Sequence, residues 1–180
     1  MKGRMKLRIL NKPILLIGFM GSGKTTIGKI LSESLNLPFV DLDAKIVEMT
    51  HSTIPQIFET SGETEFRKLE YEQLKKHLTS PQIIATGGGI IEHDESFTML
   101  KQYTSSIIWL DAPFENLYER IVNDENRPNA RNKSYSDLKN LYSSRISRYN
   151  EIAFIKVNTA KTSRDILNEI NKALFANDQY

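Results

Sequence analysis

Gly18-Phe19-Met20-Gly21-Ser22-Gly23-Lys24-Thr25 fits the pattern GxxxxGK[ST]. At average residue frequencies, its specified positions match by chance in roughly one chain of this length in a hundred or more. The flanks add to the signal. The apolar run from Ile14 to Ile17 precedes the motif and an amphipathic stretch follows it, which is the strand-to-helix setting that phosphate binding requires. Glycines let backbone N–H groups converge on phosphate oxygens, and the following helix adds the positive end of its dipole. Gly21, Ser22, Gly23, Lys24, Thr25 and Thr26 are the candidate ATP contacts. Lys24 would reach the β- and γ-phosphates and the Thr25 hydroxyl would join a Mg²⁺ shell. A glycine-rich turn without a ligand has no need of a lysine directly before a hydroxyl residue.

Working outward, Ile14 to Ile17, Phe39 to Leu42, Ile83 to Ala85, Ile107 to Leu110 and Ala153 to Val157 read as strands. Helical patterns cover Lys24 to Leu35, Glu63 to His77, Glu95 to Gln102, Phe114 to Asn123, Ser136 to Arg148 and Ser163 to Phe175. Strands that alternate with helices, and are apolar throughout, predict a parallel sheet covered on both faces: a doubly wound α/β layout in three layers. Trp109, inside one such run, is expected in the core.

A length of 180 residues suits one domain, residues 1–180, and 39% hydrophobic with 26% charged residues excludes disordered and fibrous classes. The net charge is +2, and basic residues are scattered except for Lys2, Arg4, Lys6, Arg8 and Lys12, which is weak support for a nucleic-acid partner. Residues 1–12 are expected to be a flexible tail. With no cysteine there is neither a disulfide framework nor a thiolate metal site. The longest apolar run, Ile14 to Met20 apart from Gly18, is too short to cross a bilayer, and no signal-peptide pattern is present. A cytoplasmic monomer acting on small molecules is the expectation, without a membrane or nucleic-acid partner. His51, His77 and His93 lack metal-ligand spacing.

Asp41 and Asp43 close the second strand; continued extension would put both carboxylates on one side, while a helix cap explains either one equally well. Arg67 offers a planar fork for a carboxylate, or an i, i+4 partner for Glu63 on an exposed helix face. Gly87-Gly88-Gly89 after an apolar strand suits a turn where a ligand approaches the backbone. Residues 123–136, NDENRPNARNKSYS, carry almost no apolar surface and read as an exposed lid.

Together with Phe66-Arg67-Lys68-Leu69-Glu70, Thr86 to Gly89, Arg127-Pro128 and the run Arg145 to Ala153, these positions resemble the shikimate kinase family, in order, over residues 14 to 155. The resemblance implies a P-loop fold of the nucleoside-monophosphate-kinase-like type with a five-stranded parallel sheet and a mobile lid. It implies phosphorylation of the shikimate 3-hydroxyl by MgATP, a step of chorismate and aromatic amino acid biosynthesis. By the same resemblance Asp43 binds the acceptor hydroxyls, Arg67 and Arg145 hold the acceptor carboxylate, and Gly87, Gly88 and Gly89 face the substrate. Asp41 contacts Mg²⁺ through water, Arg127 reaches the phosphates from the lid, and Arg120 packs on adenine. Lys24, Asp43 and Arg127 are the implied catalytic set. Ser147, where the family commonly has proline, and Asn129-Ala130, where it has an apolar pair, depart from the pattern and bear on lid packing. The alternatives are another small-molecule kinase, such as a gluconate kinase, and a nucleotide-binding regulatory module without turnover.

Overall fold

The computed structural model describes residues 11–122 and 133–176. Strands β1 (Ile14–Ile17), β2 (Phe39–Asp41), β3 (Ile83–Ala85), β4 (Ile107–Asp111) and β5 (Ile155–Asn158) form one sheet in the order β2-β3-β1-β4-β5. Every pairing is parallel. The helices are α1 (Lys24–Leu35), α2 (Leu42–Thr50), α3 (Ile54–His77), α4 (Asp94–Leu100), α5 (Phe114–Val122), α6 (Tyr135–Ile152) and α7 (Ser163–Leu174). Two 3₁₀ turns, Ile90–Glu92 and Lys101–Ser106, flank α4.

The apolar strands are explained by burial on both faces. Leu15 and Ile17 of β1 join Leu74 of α3, Leu100 of α4 and Tyr149 and Ile152 of α6. Their neighbours Ile14 and Leu16 point the other way, into Ile27 and Leu31 of α1 and Ile166 and Ile170 of α7. Trp109 is 2% exposed and lies in the first of these layers, as expected of a core residue.

Because the strands are parallel, their C-terminal ends share one edge, where ligands of such sheets bind. Strand β1 lies between β3 and β4: the chain leaves it for β2 on the β3 side and crosses to its other side only between β3 and β4. The glycine-rich motif sits at that point, between β1 and α1. Gly23 caps α1 at φ 89°, a conformation that side chains with a Cβ rarely adopt.

Two segments differ from the sequence expectation. The chain turns helical directly after Asp41, so Asp41 and Asp43 do not share one face of an extended strand. Asp41 is the N-cap of α2 and accepts from the Ala44 amide at 3.2 Å, while Asp43 lies in its first turn. Helix α3 starts at Ile54 and not Glu63, opened by a Thr53–Gln56 capping box and interrupted by Gly62 at φ 81°, ψ 168°. Arg127, and with it most of the expected lid, lies outside the described residues, as do tail residues 1–10. The lid boundary at 136 is corrected: Ser134 caps α6 with Asp137, so Tyr135 and Ser136 are already helical.

Candidate active site

One cleft of about 1330 Å³ runs along the C-terminal edge of the sheet, from the glycine-rich loop past the end of β2 to the turn after β3. At its phosphate end, Lys24 Nζ donates to the carbonyls of Gly18 and Phe19 at 2.8 and 2.9 Å, so the lysine lies across the loop that its neighbours form. Thr25 Oγ1 donates to Asp41 Oδ2 at 2.6 Å. This contact joins the start of α1 to the end of β2 and pairs a hydroxyl with a carboxylate, the hard oxygen donors that Mg²⁺ takes alongside water and phosphate. Among the described residues there is no cluster of three or more His, Cys, Asp or Glu able to hold a metal.

Arg120 of α5 donates to the Gly21 carbonyl at 3.1 Å and to Thr159 Oγ1 and O at 3.2 and 3.0 Å. It ties the glycine-rich loop to the segment after β5, so its N–H donors serve the architecture while its side chain lines the cleft. Thr159 was not identifiable as a site residue from sequence; its place depends on Thr159 Oγ1 donating to the Asp111 carbonyl at 3.1 Å.

The opposite end is built from charge. Arg67 of α3 donates to Glu70 Oε2 at 2.5 Å, to Glu63 Oε1 at 2.8 Å and to Glu92 Oε2 at 3.5 Å. The i, i+4 pair with Glu63 therefore exists, with Glu63 exposed at 65% and the Arg67 side chain turned inward at 12%. Arg145 of α6, 7% exposed, donates to the same Glu92 oxygen and lies over the Phe19 ring at 5.5 Å. The buried Nε–H donors of both arginines have no protein acceptor among the described residues.

Glu70 is fully buried, and that desolvation pushes its carboxyl up to about 7; the charge of Asp43 adds to the rise and Arg67 opposes it. Asp43 stands close by. A methyl group added at Gly87 would lie 2.1 Å from Glu70 Oε1 and 2.7 Å from Asp43 Oδ1. One added at Gly89 would meet the Arg67 guanidinium at 2.3 to 2.7 Å. Gly87 and Gly89 thus make room for charged side chains of the site itself, while Gly88 faces the backbone of Met20, Gly18 and Phe19. Tyr149 fixes the turn by donating to the Gly88 carbonyl from α6, and burial raises its phenol well above the ordinary value.

The structure brings Asp43, Arg67, Arg145 and the three glycines into the same cleft as residues 21–26, Asp41 and Arg120. Glu70 and Glu92 were missed as site residues. Glu70 had a local signal, three residues after Arg67 on one helix face; Glu92 had none, because its partners come from α3 and α6.

A family model, SKI: Shikimate kinase, matches residues 20–175. A shikimate kinase of Staphylococcus haemolyticus (strain JCSC1435) is 54% identical over 166 residues, covering 92% of this chain and 96% of that protein. The solved shikimate kinase from Acinetobacter baumannii in complex with shikimate has a TM-score of 0.85 at 32% identity, over 98% of this chain and 99% of that one. A gluconokinase from Sinorhizobium meliloti 1021 has a TM-score of 0.59 at 16% identity, over 94% and 95% of the two chains, a likeness of fold alone.

Proposed function

The chain belongs to the shikimate kinase family, and from that premise we propose how its residues divide the work. The enzyme transfers the γ-phosphoryl group of ATP to the 3-hydroxyl of shikimate, giving shikimate 3-phosphate and ADP. The shikimate oxygen forms the new bond to phosphorus, the bond from phosphorus to the β,γ-bridging oxygen breaks, and the hydroxyl proton goes to Asp43. Gly21 to Thr26 surround the phosphates, with Lys24 placing its ammonium where negative charge spreads in the transition state. Thr25, and Asp41 through water, would hold Mg²⁺, which would supply positive charge beside the phosphates. Arg127 is assigned to the same phosphates and Arg120 to the adenine side.

Arg67 and Arg145 are assigned to the shikimate carboxylate, which a guanidinium can bond through two parallel hydrogen bonds. Gly87, Gly88 and Gly89 would border the ring. The observation that supports this reading most is the cleft itself: a phosphate-binding loop at one end, a buried arginine pair at the other, and Asp43 between them. The protein is read as a cytoplasmic monomer with a single domain, residues 1–180, whose substrates are ATP and shikimate. No helix among the described residues is long and apolar enough to cross a membrane.

ADP release measured with shikimate, gluconate and nucleoside monophosphates tests the substrate. Turnover is expected with shikimate alone. Equal turnover with gluconate would move the arginine pair to a general carboxylate role, and no turnover with any acceptor would favour a regulatory nucleotide-binding module.

A further inference from the structure

We infer that Glu92 is a built-in competitor for the acceptor's carboxylate, occupying the Arg67–Arg145 pair until a carboxylate that fits both guanidiniums displaces it. The inference rests on the assignment of those two arginines to the shikimate carboxylate. One oxygen of Glu92 accepts from Nη2 of Arg67 and from Nη2 of Arg145, bridging α3 and α6. In chemical class and position it stands in for the substrate's own anionic group.

The charge inventory shows why such an anion must leave. Three carboxylates, Glu63, Glu70 and Glu92, are bonded to the two guanidiniums. With all three ionised, the cluster carries no net positive charge to offer an incoming anion. Glu70 cannot move out, since its side chain is 0% exposed and the Arg67 pair pins it. Glu63 touches Arg67 and, of the two arginines, leaves Arg145 alone. Glu92 is 35% exposed and bonded to both, so it can exchange its arginines for water without unburying the core. Its backbone stays in place meanwhile: Ile90 and Ile91 are fully buried, and Arg148 Nη1 donates to the Ile91 carbonyl at 2.7 Å.

Geometry also sets which anions succeed. A carboxylate docks best on a guanidinium edge through two parallel bonds. Glu92 takes only Nη2 on each arginine and leaves both Nε–H donors without a protein acceptor. A substrate carboxylate that reaches Nε and Nη together replaces Glu92 with a gain. An anion that is not held by further contacts in the cleft does not, so Glu92 raises the threshold for occupying the site.

Steady-state kinetics of the native enzyme and Glu92→Gln with shikimate, methyl shikimate and benzoate as a competing carboxylate test this. In the variant the KM for shikimate is expected to fall about fivefold, the scale of one partly exposed ion pair that no longer has to be exchanged. KM should change more than kcat, the inhibition constant of benzoate should fall with it, and the KM for the uncharged ester should not follow. If the native enzyme prefers shikimate to its ester but Glu92→Gln leaves the KM unchanged or raises it, Glu92 orients the arginines and the competitor role is overturned while their assignment stands. If the native enzyme uses the ester as well as shikimate, the carboxylate assignment fails and takes the inference with it. Glu92→Asp guards against a folding defect: it keeps the charge but shortens a reach already at 3.5 Å to Arg67, so a smaller fall in KM is expected, and an unchanged or raised value counts against the role.

Discussion

Adding one methyl group at each of Gly87, Gly88 and Gly89 should produce three different enzymes. None of the three has φ in the left-handed region, so alanine is admissible to the backbone and space alone decides. At Gly87 the methyl would lie 2.1 Å from Glu70 Oε1 and 2.7 Å from Asp43 Oδ1. Ordinary contact is more than 1 Å longer than the first distance, so a carboxylate must shift by about 1 Å. Glu70 has no exposed side-chain surface to move into, and full loss of its buried pair with Arg67 would cost about 3–5 kcal/mol. Moving Asp43 alone leaves the 2.1 Å contact with Glu70 in place, so both carboxylates must shift, and a displacement of about 1 Å at Asp43, the proposed acceptor of the hydroxyl proton, costs roughly 100-fold in rate. At Gly89 the methyl meets Nη2, Cζ and Nη1 of Arg67 at 2.3, 2.7 and 2.7 Å, so the acceptor KM should suffer more than kcat. At Gly88 the nearest atom is the Met20 amide nitrogen at 3.2 Å, a contact relieved by a few tenths of an ångström, and stability should change by less than about 1 kcal/mol. The assay is kcat and KM for shikimate at saturating ATP, with a thermal melt of each variant. A Gly87→Ala enzyme with native kcat/KM, or a series in which Gly88→Ala is the worst, would refute the reasoning.

Lys24→Ala should lower turnover by orders of magnitude while circular dichroism stays native, because its bonds to the Gly18 and Phe19 carbonyls belong to the loop and not to the core; near-native turnover in a folded variant would end the phosphate-loop reading. For Glu70, whose carboxyl rises from 4.5 to about 7 in the folded state, the native protein binds the proton more tightly than the unfolded chain does, so its contribution to stability is present below pH 4.5 and lost as pH climbs to 7. Melts of native and Glu70→Gln protein across that window should diverge in the variant's favour by up to about 3 kcal/mol, and a pH-independent difference would contradict the buried-carboxyl reading. Gly62→Ala meets no atom within 4 Å but must adopt φ 81°, ψ 168°, so chemical denaturation should report a loss of about 1–3 kcal/mol from backbone strain; a gain would mean that the break in α3 is not constrained.

The strands were legible in the sequence almost to the residue because the inner three, β1, β3 and β4, are buried on both faces, while the edge strands β2 and β5 are only partly buried. The exceptions are ends: β2 stops at Asp41, β4 runs on to Asp111, and β5 spans Ile155–Asn158 and not Ala153 to Val157. Helix α2 was missed because only Leu42 and Ile46 of its nine residues are buried, too few to raise a periodic pattern. The first part of α3 was missed because Gly62 reads as a break, and a local break is what it is; the chain resumes its helix beyond. At the site, residues 18–25 carry their chemistry in consecutive positions and could be read directly. Of the two readings of Asp41 the helix cap is the one observed, with Oδ1 accepting from the Ala44 amide, while Oδ2 accepts from Thr25 and so keeps the two proposed metal-side residues together. Glu92 could not be read at all, as its meaning lies in the meeting of two arginines from distant helices.

Helix α6 carries Arg145 and Tyr149 one turn apart, the first in the anion pair and the second bonded to the Gly88 carbonyl. One rigid rod therefore sets the spacing between the Arg145 guanidinium and the glycine turn, much as a ruler fixes two marks. Substitutions that shift α6 would move both marks together and leave that spacing intact. Redesign for a longer or bulkier acceptor would accordingly have to work elsewhere in the lining, as at Ile54, Pro55 and Phe58 of α3, which precede the Gly62 break, where an added methyl meets no atom within 4 Å. The two helices thus differ in their capacity for change: α6 holds the measure, and the start of α3 can be recut to fit a new guest.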